Sequence, residues 1–167
     1  MRLFIALSFD DNVKDALVQV QNEMYAKGIR GNYTSYDNLH VTLAFIGDYP
    51  EPLDILDVME DIPFDGFDLT LNGIGNFGDT WYAGIDDNQE LRSYVNMLRG
   101  ALREKGIRFD SKAFRPHVTL IRKPRGDLGS LISSSIHKDV HVGHVSLMKS
   151  VLRREGPIYT EIGCVYE

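Results

Sequence analysis

Leu39-His40-Val41-Thr42-Leu43 returns 77 positions later as Pro116-His117-Val118-Thr119-Leu120, so the chain carries His-Val-Thr-Leu twice. Val and Thr favour β-structure and polar turn residues precede both copies, so each motif is predicted to be a strand. Side chains two apart in a strand share a face. His40 should therefore lie beside Thr42, and His117 beside Thr119.

Both motifs belong to a longer internal repeat, because residues 2–30 recur 78 positions later as residues 80–108. Each copy opens with a short apolar segment, as strands do, and continues into a predicted helix that ends at a Lys-Gly pair. The helices are predicted from apolar residues at helical spacing: Val13, Ala16, Leu17, Val20 and Met24 in the first copy, and Leu91, Tyr94, Val95, Leu98 and Leu102 in the second.

This repeat predicts an α+β fold of two pseudo-symmetric lobes of antiparallel sheet, with outer helices and a central cleft. We expect one bilobal domain in which Arg2–Leu43 is repeated as Thr80–Leu120. Beyond the repeat, short helices are expected at 50–60 and 128–136, strands at 67–74, 140–152 and 158–166, and a turn at 74–78.

Composition excludes several classes of protein. No apolar run approaches the roughly 20 residues that span a bilayer, and no signal peptide opens the chain, so we expect a cytoplasmic protein. Cys164 is the only cysteine, which rules out an internal disulfide. The net charge of −6 argues against extensive binding to the phosphate backbone of long nucleic acid. The basic stretch from Lys112 to Arg125 could still bind one anionic group.

Two histidines on facing strands suit a reaction in which one oxygen loses a proton while another gains one. The ordinary pKa of histidine lies near 6.5, so one imidazole can act as base while the other acts as acid. The threonine hydroxyls could donate to a phosphate, with an arginine completing the clamp. A symmetric fold could also repeat His-Thr only to satisfy buried backbone, and the residues alone leave both interpretations open.

Four segments resemble the 2H phosphoesterase superfamily, and within it the RNA 2′,3′-cyclic phosphodiesterases, also called 2′-5′ RNA ligases. They are Arg2–Leu7, Asn38–Gly47, Arg115–Leu120 and Gly156–Tyr159. The resemblance spans nearly the whole chain, and the paired His-x-Thr-x motifs are its most specific part.

The resemblance implies hydrolysis of a terminal 2′,3′-cyclic phosphate to a 2′-phosphate, with reversible 2′-5′ ligation, and no metal or cofactor. It implies that His40 is the proton donor and His117 the proton acceptor, and that Thr42 and Thr119 contact phosphate. An arginine five residues after the second histidine is here Arg122. The implied partners are RNA 3′ ends or nucleotides bearing a cyclic phosphate, and we expect a monomer without membrane attachment.

Strict alternation places Arg122 on the strand face opposite His117, so its role requires the strand to bend or end near Ile121. Flanking charges suggest a direction for the chemistry. Arg115, Arg122 and Lys123 surround the second motif, whereas Asp37 and Asp48 flank the first, which predicts opposite fields that make His117 the base and His40 the acid.

Other interpretations are weighed beside this one. His137, His141 and His144 have a spacing that a helical metal site could use, but the valines between them favour strand. Aromatic residues near the first motif could stack on a base or belong to the core: Tyr33, Tyr36 and Phe45. The competing functions are a non-catalytic nucleotide or RNA-end binding module, and a 2H esterase acting on a small cyclic-phosphate metabolite.

Overall fold

A computed structural model describes residues 1–127, 129 and 136–167. Its elements are β1 (Arg2–Ser8), α1 (Asp11–Ala26), β2 (Arg30–Tyr33), a 3-10 helix (Tyr36–Asn38), β3 (His40–Asp48), α2 (Pro52–Glu60), β4 (Phe67–Phe77), β5 (Thr80–Ile85), α3 (Gln89–Glu104), β6 (His117–Arg125), β7 (His137–Val142), β8 (His144–Arg153) and β9 (Gly156–Tyr166).

The strands form two antiparallel sheets, which confirms the predicted α+β class. One sheet has the order β3-β1-β8-β9 and the other β2-β6-β5-β4-β7. Their buried residues and those of the helices pack into one hydrophobic cluster. Among the described residues, no helix has the length and apolar composition needed to cross a membrane.

The repeated elements occupy corresponding places, β1-α1-β3 in one half and β5-α3-β6 in the other. Each helix begins with a side-chain cap: Asp10 accepts from the backbone N–H of Val13 at 3.0 Å, and Asn88 accepts from that of Leu91 at 2.9 Å. The two helices end at the predicted Lys-Gly pairs, where Gly28 and Gly106 take positive φ angles of 90° and 73°. The helices of the repeat are therefore confirmed.

The two halves are interlocked, which the sequence did not predict. The segment after α1 forms β2 and pairs with β6 of the second half. The corresponding segment after α3 lies along β3 of the first half, where the Asp110 N–H donates to the Phe45 carbonyl at 2.8 Å. Each histidine strand is thus flanked by a segment from the other half, which holds the two strands together.

Several expectations outside the repeat need correction. The strand predicted at 140–152 is two strands in different sheets, because the chain breaks the ladder at Gly143 and crosses over. Of the turn predicted at 74–78, residues 74–77 belong to β4 and only Gly78 lies in the turn, which it forms with Asp79. Within this part of β4, Gly75 leaves room for the Tyr82 ring, whose hydroxyl a Cβ there would meet at 2.5 Å. The helix predicted at 128–136 falls largely on positions outside the described residues.

Each histidine strand carries a β-bulge at the same place in the repeat. Leu43 of β3 has no pairing partner in β1, and Leu120 of β6 has none in β5. The bulged residue and its successor are both fully buried, as Leu43-Ala44 and Leu120-Ile121. Two consecutive inward residues reverse the alternation beyond that point.

A polar side chain from a helix of the opposite half binds each bulge. Gln21 of α1 donates through Nε2 to the Leu120 and Thr34 carbonyls, both at 2.9 Å. Arg99 of α3, 78 positions after Gln21, donates to the Leu43 carbonyl at 3.0 and 3.2 Å. These contacts fix the bulges and join each helix to the strand of the other half.

We expect Gln21→Leu to lower the free energy of unfolding by about 1–3 kcal/mol, because it removes the amide donor from the Thr34 and Leu120 carbonyls and leaves Leu120 with only the Thr34 N–H. Denaturant unfolding measures the change. Gln19→Leu, at an exposed position of the same helix, is the matched control and should shift stability by less than about 0.5 kcal/mol. Equal effects of the two substitutions would contradict the role given to Gln21.

Candidate active site

The two histidines are tethered in the same way. His40 Nδ1 lies 2.6 Å from the Asn38 carbonyl oxygen, and His117 Nδ1 lies 2.6 Å from that of Arg115. A carbonyl oxygen only accepts hydrogen bonds, so Nδ1 donates in both rings. The neutral imidazoles therefore share one tautomer, with an unprotonated Nε2 that can accept a proton.

The two Nε2 atoms have different surroundings. His40 Nε2 lies 2.8 Å from the Thr42 hydroxyl oxygen, which donates to it in this tautomer. His117 Nε2 has no hydrogen-bond partner within the described part of the chain. Thr119 is half-buried on the same strand face as His117. The site is thus symmetric at the Nδ1 contacts and asymmetric around the Nε2 atoms.

Aromatic rings hold both imidazoles in place. The His40 ring lies 5.2 Å from the centroids of both Phe4 and Tyr159. The His117 ring lies 5.1 Å from Phe77 and 5.2 Å from Tyr82. Tyr159 and Phe77 meet the imidazoles edge-to-face, at 89° and 82°, and packing of this kind restricts rotation of the two imidazole rings.

Two recesses meet between the histidines and share Thr42 and Phe45 as lining residues. The larger one has a volume of about 690 Å³ and lies on the His117 side, and the smaller has about 250 Å³ and lies on the His40 side. The larger recess is mainly aromatic and basic, with Phe77, Phe114, Lys112 and Arg115 in its wall. The two histidines therefore line adjoining recesses.

Arg122 lines the smaller recess together with His40. Simple alternation had placed it on the wrong face of β6, and the bulge at Leu120-Ile121 explains the difference. The strand neither ends at Ile121 nor stops before Pro124, and it continues to Arg125. The bulge reverses the alternation and turns the guanidinium toward the histidines.

Burial and positive charge both favour neutral imidazoles. Burial is the main reason that the pKa of His40 and that of His117 lie below the usual value, and Arg122 lowers both further. Arg115 lowers the pKa of His117 as well, and His117 lowers that of His40. The expected opposite fields are wrong: Asp37 and Asp48 are close to His40 in sequence but do not set its pKa, so both rings lie in a cationic field.

Some residues that shape the site were not predicted. The buried amide of Asn38 donates to the Pro157 carbonyl at 2.7 Å, which ties the tether of His40 to the strand that carries Tyr159. Phe77 fell within the predicted turn at 74–78, and Tyr159 was singled out only as the end of a segment that resembles the family. Gln21 and Arg99 could have been found by comparing polar positions on the buried faces of the two repeated helices.

The other candidate residues lie apart from the cleft. His137 approaches Asn72, His141 lies between Asp68 and Glu167, and His144 bonds Ser8. In the described part of the chain, no three His, Cys, Asp or Glu side chains group as metal ligands. Tyr33 and Tyr36 bond to Ile29 and Asp11, and of the three predicted aromatics only Phe45 lines the recesses.

Comparison with known proteins gives a consistent set of similarities. A family model described as "2′-5′ RNA ligase superfamily" matches residues 16–151. An Archaeoglobus fulgidus protein named RNA 2′,3′-cyclic phosphodiesterase is 28% identical over 97% of this chain and 98% of its own. The structure of TT0787 from Thermus thermophilus superposes with a TM-score of 0.82 at 25% identity, covering 99% of this chain and 97% of its own.

E. coli LigT, whose structure contains 3′-AMP, shares the fold with a TM-score of 0.82 at 23% identity, covering 99% of this chain and 97% of its own. These superpositions confirm the predicted two-lobed arrangement of antiparallel sheets.

The electrostatics predict how the imidazoles titrate. Removing a nearby cation stabilises imidazolium, so Arg122→Gln should raise the pKa of both His40 and His117, whereas Arg115→Gln should raise that of His117 directly. NMR titration of the imidazole resonances measures both. Arg108→Gln, at an exposed position outside the cleft, is the control and should move neither. A fall in either pKa on removal of Arg122 would refute this electrostatic assignment.

Proposed function

The chain belongs to the 2′-5′ RNA ligase superfamily, and we propose that it hydrolyses the terminal 2′,3′-cyclic phosphate of RNA to a 2′-phosphate, with His40 and His117 as acid and base. The names of its relatives support this substrate class. We further propose that it acts in the cytoplasm as a monomer and one bilobal domain, without metal or cofactor.

The observation that carries the proposal is the matched pair of imidazoles at one cleft. Both rings are fixed through Nδ1 by a backbone carbonyl, which leaves Nε2 of each as the nitrogen that can exchange a proton. A site that only binds phosphate needs hydrogen-bond donors, whereas a neutral Nε2 is an acceptor. This arrangement suits proton transfer on two sides of one phosphate.

In the proposed reaction, water attacks phosphorus on the side opposite the 3′ oxygen. His117 Nε2 takes a proton from the water as the new P–O bond forms. His40, as imidazolium, gives its Nε2 proton to the 3′ oxygen as that P–O bond breaks. The products are a 2′-phosphate and a free 3′-hydroxyl, and the second histidine is left protonated in place of the first.

Thr42, Thr119 and Arg122 are assigned to the non-bridging phosphate oxygens. Negative charge concentrates there in the transition state, so positioned hydroxyl and guanidinium donors stabilise it more than they stabilise the substrate. If the 5′-hydroxyl of a second RNA replaces the water, the same proton transfers form a 2′-5′ phosphodiester. The reverse of that step returns the cyclic phosphate.

Two other functions are separated by simple assays. A binding module would retain nucleotides without turnover. An esterase for a small metabolite would not need the aromatic recess of about 690 Å³, whose size fits a nucleotide and whose Phe45, Phe77 and Phe114 rings suit base stacking. Incubation with RNA ending in a 2′,3′-cyclic phosphate, in the presence of chelator, followed by separation of 2′- and 3′-phosphate products, tests the proposal directly.

We expect His40→Ala and His117→Ala each to lower kcat by about two orders of magnitude or more, as loss of a general acid or base does. His137→Ala removes an exposed histidine outside the cleft and is the matched control. Thr42→Ala and Thr119→Ala should be milder, because they remove one phosphate donor each. Near wild-type turnover by a folded His40 or His117 variant would rule out the two-histidine mechanism.

The assignment of acid and base is tested with a substrate whose 3′ leaving oxygen is replaced by sulfur. A thiolate leaves with little protonation, so this substrate should restore turnover to His40→Ala and leave His117→Ala inactive. Rates of product formation by both variants on the oxygen and sulfur substrates give the comparison. Rescue of His117→Ala alone would exchange the two roles.

A further inference from the structure

The smaller recess extends beyond the position of the reacting phosphate. Besides His40, Thr42 and Arg122, its lining includes Arg2, Ser150 and Tyr159. Its volume of about 250 Å³ lies on the side of the proposed acid, His40, where the ribose that keeps the phosphate must lie. In the proposed reaction the ribose of the substrate therefore enters this recess.

The wall of this recess is suited to an anion. Arg2 and Arg122 both line it, and none of the described residues that line it is Asp or Glu. Ser150 and Tyr159 contribute hydroxyls that have no hydrogen-bond partner within the described residues. Two guanidinium groups and two available hydroxyls are the donors that a phosphate group requires.

The two arginines act at different depths. Arg122 lowers the pKa of both histidines, so it lies close to the reacting phosphate. Arg2 pairs with Ser150 and Asp48 in the first sheet, six residues along β1 from Ser8, which pairs with His40, so its backbone lies well away from that histidine. Its guanidinium lies 4.8 Å from the centroid of the Phe45 ring, which supports it from below. Arg2 therefore lies at the outer end of the recess.

We propose that Arg2, with Ser150 and Tyr159, binds a second phosphate of the substrate: the one on the 5′ oxygen of the nucleoside that carries the cyclic phosphate. This inference rests on the proposed function, since that nucleoside spans the distance between the reacting phosphate and the phosphate at Arg2. The second phosphate is a phosphodiester in RNA and a phosphomonoester in a free nucleotide. The site gives an acidic protein a local means of preferring RNA ends to mononucleosides.

Calorimetric binding of three unreactive product-like ligands tests the site independently of turnover. The ligands are adenosine 2′-phosphate, adenosine 2′,5′-bisphosphate, and the dinucleotide ApA with a terminal 2′-phosphate. Arg2→Gln should weaken binding of the second and third ligands by about ten- to hundredfold, as loss of a charged hydrogen-bond donor does, and leave the first unchanged.

Arg103→Gln is the matched control, because Arg103 is also an exposed arginine over a phenylalanine ring, 5.3 Å from the centroid of Phe109, but outside the cleft. It should change none of the three affinities. If Arg2→Gln loses affinity only for the dinucleotide, the site binds a phosphodiester. If it loses affinity for both larger ligands, the site binds a phosphodiester or a phosphomonoester. Both outcomes support the proposal. The proposal is overturned if Arg2→Gln weakens the binding of all three ligands equally, or if it weakens the binding of none of them.

Turnover separates this inference from the proposed function. Wild-type protein should hydrolyse adenosine 2′,3′-cyclic phosphate and ApA ending in a cyclic phosphate, and Arg2→Gln should raise KM only for the dinucleotide. A neutral methylphosphonate at the internal linkage should produce the same loss in wild type and no additional loss in Arg2→Gln. If wild type cleaves neither substrate, the proposed function is refuted. If Arg2→Gln keeps the wild-type preference for the dinucleotide, only the second phosphate site is refuted.

Discussion

A β-bulge in each histidine strand determines which side chains reach the cleft, because a shift of one residue in a strand moves every later side chain to the other face. Before the bulge, His117 and Thr119 share the cleft face. After Leu120 and Ile121, both of which are buried, Arg122 returns to that face. Without the bulge the strand could present the histidine or the arginine, but not both.

The bulges depend in turn on contacts between the two halves. The bulged carbonyls of Leu43 and Leu120 accept hydrogen bonds from Arg99 and Gln21, which belong to the helices of the opposite halves. The Leu120 carbonyl also accepts from the Thr34 N–H at 3.0 Å, so Gln21 adds a second donor there, whereas Arg99 donates twice to the Leu43 carbonyl. The position of Arg122 is therefore coupled to the packing of α1 against the second sheet, and the helices support the site from behind.

Much of this could be predicted from the repeat, and the reasons are specific. The helices were predictable because Leu91, Tyr94, Val95, Leu98 and Leu102 follow helical spacing, and all five are buried. The histidine strands were predictable because they are short and β-branched. The bulges were not, since Leu43-Ala44 and Leu120-Ile121 read as ordinary apolar residues. The exchange of β2 between halves was not predictable either, because strand pairing between distant segments leaves little local trace.

The halves share a scaffold and differ in chemistry. Phe45 stands 77 positions before Arg122, at the same place after the bulge, so one half supplies an aromatic wall and the other a cation. Burial and Arg122 hold both imidazoles toward the neutral form, which suits a base but leaves the acid without its proton. An anionic phosphate between them opposes both effects and favours imidazolium. In the mechanism proposed above, the charge of the substrate thus completes the acid–base pair, because it favours the protonated form of His40 as the phosphate binds.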